Sequence, residues 1–75
     1  MDIRVTFDRK ANAAYVYLVS QGPGQVAETC ADVGPPHVEG MINLDFDKSG
    51  RLIGVEVLNA TRVLPDELLK KAERL

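Results

Sequence analysis

Residues 41–60 read MINLDFDKSGRLIGVEVLNA, and the rest of the chain is arranged to cover or extend them. Ile42, Leu44 and Phe46 alternate with Asn43, Asp45 and Asp47; Ile53, Val55 and Val57 alternate with Leu52, Gly54, Glu56 and Leu58. A period of two puts each apolar set on one face of a strand. Between the two runs, Asp47-Lys48-Ser49-Gly50 has turn chemistry: aspartate bonds the backbone ahead of it, and glycine accepts a positive φ. Two registers compete. A four-residue loop pairs Phe46 with Arg51, Leu44 with Ile53 and Ile42 with Val55. A three-residue loop with Gly50 in a bulge sets Leu44 against Gly54. The four-residue loop is the expectation, because it keeps the two apolar triplets together.

Working outward, Asp2 to Asp8 alternates as a first strand, and Asp8 to Asn12 is polar and reads as a turn. Ala13 to Val19, AAYVYLV, is apolar on both faces, which predicts a central strand. Gln21-Gly22-Pro23-Gly24 turns the chain. Val26 to Val33 is a weaker strand whose charges suit a sheet edge, with Cys30 read as a small core residue. Gly34-Pro35-Pro36-His37 is a rigid connector.

After Ala60 the period changes. Pro65 suits a first helical position, Asp66 and Glu67 the first turn, and Lys70, Lys71 and Arg74 the end. Leu64, Leu68, Leu69, Ala72 and Leu75 form an apolar stripe about 140° wide at helical pitch. A helix over 65–75 is predicted, and so short a helix must pack on the sheet or on another chain. The expected fold is a single α+β domain over 1–75: a small antiparallel β-meander of about five strands with one C-terminal helix packed on it.

At 75 residues, with a single cysteine, ordering entropy and apolar burial nearly cancel. A homodimer or a small protein partner is therefore expected to supply further burial. The net charge of −2, with basic residues scattered, argues against non-specific nucleic-acid binding. No apolar run is long enough to span a membrane, and no charged-then-apolar signal opens the chain. With a lone cysteine, this predicts a cytoplasmic protein.

DFDKSGRLIGVE imitates a calcium loop: Asp45, Asp47 and Ser49 alternate, Gly50 follows, and Glu56 comes six residues later. Such a loop needs a helix on each side, whereas here both flanks have strand period. In a hairpin Glu56 lies roughly 15 Å from the turn. The pattern is read as a false positive, with no metal and no cofactor expected. His37 is an ordinary loop histidine, since a metal site wants at least three ligands. Asp45 and Glu56 are read as solvated on a polar sheet face rather than as an acid/base pair. No nucleophile–base constellation, phosphate loop or CxxC motif is present, so no enzyme is expected.

FDRKANAAYVYL and LDFDKSGRLIGVEVLNA together resemble the small bacterial domain of unknown function 2283, over about residues 3–61. Its members look like YD-x-x-A-D-A-x-Y-I-x-L, then a V-x-x-T strand, then D-x-D-x-x-G-x-x-x-G-I-E-I-L-x-A-S. Here Asn12 stands where the family usually carries aspartate, and Thr61 where it often has serine. The resemblance implies a compact β-rich fold with no established activity; some relatives are thought to sit beside toxin-like proteins. The leading expectation is a non-catalytic interaction module, a homodimer or a binder of a small protein. Its candidate contact residues are Leu68, Leu69 and Leu75 on the helix and Tyr15 and Tyr17 on the second strand. The alternatives are an antitoxin-like partner of a small toxin, and a small-ligand or metal binder at the acidic sheet face.

Overall fold

The computed structural model describes residues 3–20 and 25–75. The predicted turn at residues 21–24 and the first residue of the predicted first strand lie outside them. The described chain forms a mixed sheet with two short helices on one side. Its strands are β1 (Arg4–Asp8), β2 (Ala13–Tyr17), β3 (Glu28–Cys30), β4 (Met41–Phe46), β5 (Leu52–Leu58) and β6 (Glu73–Arg74); the helices are α1 (Ala60–Val63) and α2 (Asp66–Lys71). The order across the sheet is β3-β4-β5-β2-β1-β6. Neighbours are antiparallel except β1 and β6, which run parallel.

The α+β class holds, but the meander covers only β3-β4-β5. The β1–β2 hairpin joins it through β2 against β5, and a sixth strand closes the far side. β2 is central, as its two apolar faces predicted, and β3 is an edge. That edge is shorter than expected because Asp32 takes a φ of 56° and leaves the extended path. Cys30 is exposed on it rather than in the core.

Neither predicted hairpin register holds throughout. At the turn the three-residue loop forms in place of the expected four-residue one: the Asp47 amide donates to the Arg51 carbonyl at 3.0 Å, and Gly50 takes a φ of 80°. Asp45 then pairs with Gly54 while Phe46 pairs with Leu52, leaving Ile53 unopposed in a bulge. Beyond the bulge Leu44 faces Val55 and Ile42 faces Val57. The ladder is thus two residues away from the four-residue-loop register. Beyond the bulge an even displacement preserves face parity, so Ile42 and Leu44 still share a side with Val55 and Val57.

That side is the core. Phe7, Ala14 and Val57 line it from β1, β2 and β5, and Ala60, Leu69 and Ala72 close over them. Asn59, just before α1, is in the left-handed conformation, and the helix is capped from outside by Asn12. The Asn12 carbonyl accepts from the Ala60 amide at 2.9 Å, and its side-chain oxygen accepts from the Thr61 amide at 3.1 Å.

The predicted 65–75 helix is cut to Asp66–Lys71. Ala72 turns extended, at ψ 151°, and Glu73–Arg74 add to the open edge of β1, where the Phe7 carbonyl takes the Leu75 amide at 3.1 Å. β1 had backbone groups to satisfy, and the end of the chain supplies them. Among the described residues, no helix is long and apolar enough to cross a membrane.

Candidate functional site

Both helices lie over the Phe7–Ala14–Val57 face, and among the described residues no helix or strand forms a second layer on the opposite face. Alternation places there Arg4 and Thr6 from β1, Tyr15 and Tyr17 from β2, Gly54 and Glu56 from β5, and Asn43 and Asp45 from β4.

Its centre is a tyrosine pair. The Tyr15 and Tyr17 rings lie 4.6 Å apart between centroids and are tilted by 49°. The Arg4 guanidinium stands 5.0 Å from the centre of the Tyr17 ring, and its Nε donates to Glu73 at 2.6 Å. Tyr15 leans across Gly54, where a β-carbon would run into the tyrosine ring and hydroxyl. Glycine at 54 therefore makes the seat for an aromatic ring on the next strand.

From that seat the Tyr15 hydroxyl donates to Asp45 Oδ2 at 2.5 Å, and Thr29 Oγ1 donates to Asp45 Oδ1 at 2.7 Å. Beside them Asn43 Nδ2 donates to Glu56 Oε1 at 2.8 Å, and Asn43 Oδ1 accepts from the Asp32 amide at 2.9 Å. Asp45 and Asn43 are each only 8% exposed. The sequence reading of Asp45 as solvated is thus corrected: Tyr15 and Thr29 cover it and satisfy it. Burial first, then the bond to Asp45, then the charges of Asp45, Tyr17 and Glu56 push the Tyr15 phenol above its ordinary range.

The structure separates the candidate contact residues. Tyr15 and Tyr17 are half-buried on the open face. Leu69 is 5% exposed and belongs to the core, so it is withdrawn as a contact residue: α2 turns that side inward against Phe7. Leu68 is half-buried, and Leu75 is 74% exposed beside the β6 edge.

The calcium-loop residues do not converge on one point. Asp47 Oδ1 accepts from the Ser49 and Arg51 amides at 2.9 and 3.0 Å, Asp45 is held by Tyr15 and Thr29, and Glu56 faces Asn43 on the ladder. Strands flank the loop on both sides. His37 lies exposed in the connector, on the rim of a shallow groove that Val38, Glu39, Arg62 and Val63 also line. Among the described residues, no three His, Cys, Asp or Glu side chains gather closely enough to hold a metal ion.

Sequence reasoning missed the Tyr15–Asp45–Thr29 network, whose members come from three strands. The available signal was Gly54, a glycine inside an otherwise well-formed strand, which marks the close approach of another group.

No curated protein and no solved structure matches the chain. A family described as a protein of unknown function (DUF2283) matches residues 4–60, which span β1 to β5 and the first residue of α1. On that match, which takes in the tyrosine pair, Gly54 and the Asp45 network, the chain belongs to the DUF2283 family.

Proposed function

We propose that this chain is a non-catalytic interaction module, and that the open sheet face is where it docks against a second copy of itself. The observation that carries the reading is the one-sided covering of the sheet, with two half-buried tyrosines at the centre of the uncovered side. Tyrosine offers a large, stiff contact area with a polar tip, which suits a protein interface.

Three further features favour a second copy. At the end of the face away from the hairpin turn, Met41 and Leu58 oppose each other on the ladder and are 37% and 36% exposed, an apolar patch beside the polar network. Charge is graded across the tyrosines, with the Arg4–Glu73 ion pair on the β1 side and the carboxylates of Asp45 and Glu56 on the other. A copy turned about a two-fold axis along the strands sets Arg4 over the carboxylate side of its mate. Six strands of two to seven residues, at ~4.8 Å spacing and ~3.3 Å per residue, give a face of roughly 450 Å² in flat projection, on the order of what the smaller interfaces bury per partner.

Light scattering on the eluting protein tests the reading. The expected mass is twice 8.2 kDa, and Tyr17→Asp is expected to return it to a single chain with its circular dichroism unchanged. A wild-type protein that stays at one chain's mass as concentration rises would refute self-docking. Its stable complex with a different small protein, blocked by Tyr17→Asp, would instead mark the face as a hetero-interface.

A further inference from the structure

On the helix-bearing side, away from the tyrosine face, a groove of about 510 Å³ opens between the β1–β2 turn, α1, α2 and β6. Its rim brings together Arg9 from the turn, Lys70 from α2 and Arg74 from β6, against a single carboxylate, Asp66. Three cations converging in a chain of net charge −2 is a local reversal of sign. The ion pairs among the described residues engage Arg4 and Arg62, so no described carboxylate is in contact with these three cations at the groove.

Each cation is held by a different part of the fold. The turn that carries Arg9 is fastened by Asp8 Oδ1, which accepts from the Lys10 and Ala11 amides at 3.0 and 3.3 Å. Parallel pairing sets Arg74 opposite Phe7, with its guanidinium 5.8 Å from the ring centre. Lys70 stands one residue after Leu69, which is anchored in the core. Thr61 adds a hydroxyl: its Oγ1 accepts from Asn12 Nδ2 at 3.0 Å, which leaves its own proton free to donate.

We propose that this groove is a binding site for the phosphate groups of a small anionic ligand. Two guanidinium groups supply planar forks that match phosphate oxygens in pairs, the ammonium supplies a compact charge, and the Thr61 hydroxyl supplies a neutral donor. A groove of this volume takes a small molecule rather than a nucleic-acid duplex, in keeping with the scattered basic residues elsewhere. Placing like charges together costs stability in the empty protein, and a bound anion offsets that cost.

Inorganic pyrophosphate is the probe, with sodium chloride at matched ionic strength as the control. Saturable amide shifts confined to Arg9, Asn12, Thr61, Lys70 and Arg74 are expected in a nitrogen–proton correlation spectrum, with a rise in Tm beyond that in chloride. Arg9→Gln and Lys70→Gln are each expected to weaken binding roughly tenfold, as loss of a charge-assisted hydrogen bond does. Lys48→Gln, at the hairpin turn, is expected to bind as wild type. Both groove variants replace exposed side chains, and their dispersed spectra check that the fold is kept. Shifts spread evenly over Lys10, Lys48 and Lys71, a Tm no higher than in chloride, or groove variants that bind as wild type would each overturn the assignment.

Discussion

Tyr15 reaches thirty residues along the chain to Asp45, and the fold has made room for it by leaving position 54 without a side chain. Tyr15→Phe keeps the ring and removes the hydroxyl, so Asp45 retains Thr29 alone. Urea unfolding is expected to show a loss of about 1–2 kcal/mol, the scale for stripping a partner from a buried acceptor. The pH dependence follows from the same contact. The Tyr15 phenol ionises above its ordinary value of 10.0, so the folded state favours the protonated form more than the unfolded state does. That stabilisation is complete below pH 10 and is lost as pH rises through the folded value. Unfolding free energy measured against pH is therefore expected to fall on the alkaline side, and to fall less in Tyr15→Phe. Gly54→Ala attacks the network from below. Its β-carbon would strike the Tyr15 ring and hydroxyl, and a destabilisation of about 2–3 kcal/mol is expected by thermal unfolding, with Tyr15 displaced from Asp45.

Among the elements, the last fifteen residues depart furthest from their own local pattern. The leucine stripe over 64–75 has helical spacing, yet only Asp66–Lys71 continues as helix before the backbone extends onto β1. The stripe is divided accordingly: Leu69 and Ala72 are core, while Leu75 projects from the sheet edge. Leu69→Ala is expected to cost about 2–4 kcal/mol and Leu75→Ala less than about 0.5 kcal/mol, measured by denaturant unfolding. Equal costs would show a continuous helix packed along its whole stripe. α1 illustrates the opposite dependence. A four-residue helix has little stability of its own, and this one is secured by Asn12 from the β1–β2 turn. The Asn12 side-chain nitrogen also donates to Asn59 at 2.9 Å, so one residue in the family-matched stretch ties the first hairpin to the end of β5.

Among the described residues, the sheet divides the surface into two unlike sides, a tyrosine face without a covering layer and a helix side with a cationic groove. A small chain of this kind has a limited core: among the described residues, seven hydrophobic residues are buried, and three of them are alanines. If the open face pairs with a second copy, stability is linked to association, and Tm is expected to rise with protein concentration. A Tm independent of concentration would tell against the pairing. Tyr17→Asp is expected to abolish that dependence.

The residues alone determined the local features. Alternation marked the strands around positions 42–57, Asp47 and Gly50 the turn between them, the two apolar faces of Ala13 to Val19 a central strand, and charge the β3 edge. These follow from side-chain period and turn chemistry, which act within a few residues. Tertiary structure alone decided the bulge at Ile53, the pairing of β2 with β5, the burial of Asp45 and the release of Glu73–Arg74 from the helix. Each depends on a partner far along the chain: a ladder that must keep its apolar face inward, a tyrosine seated on a distant glycine, and an edge strand with backbone groups left to satisfy.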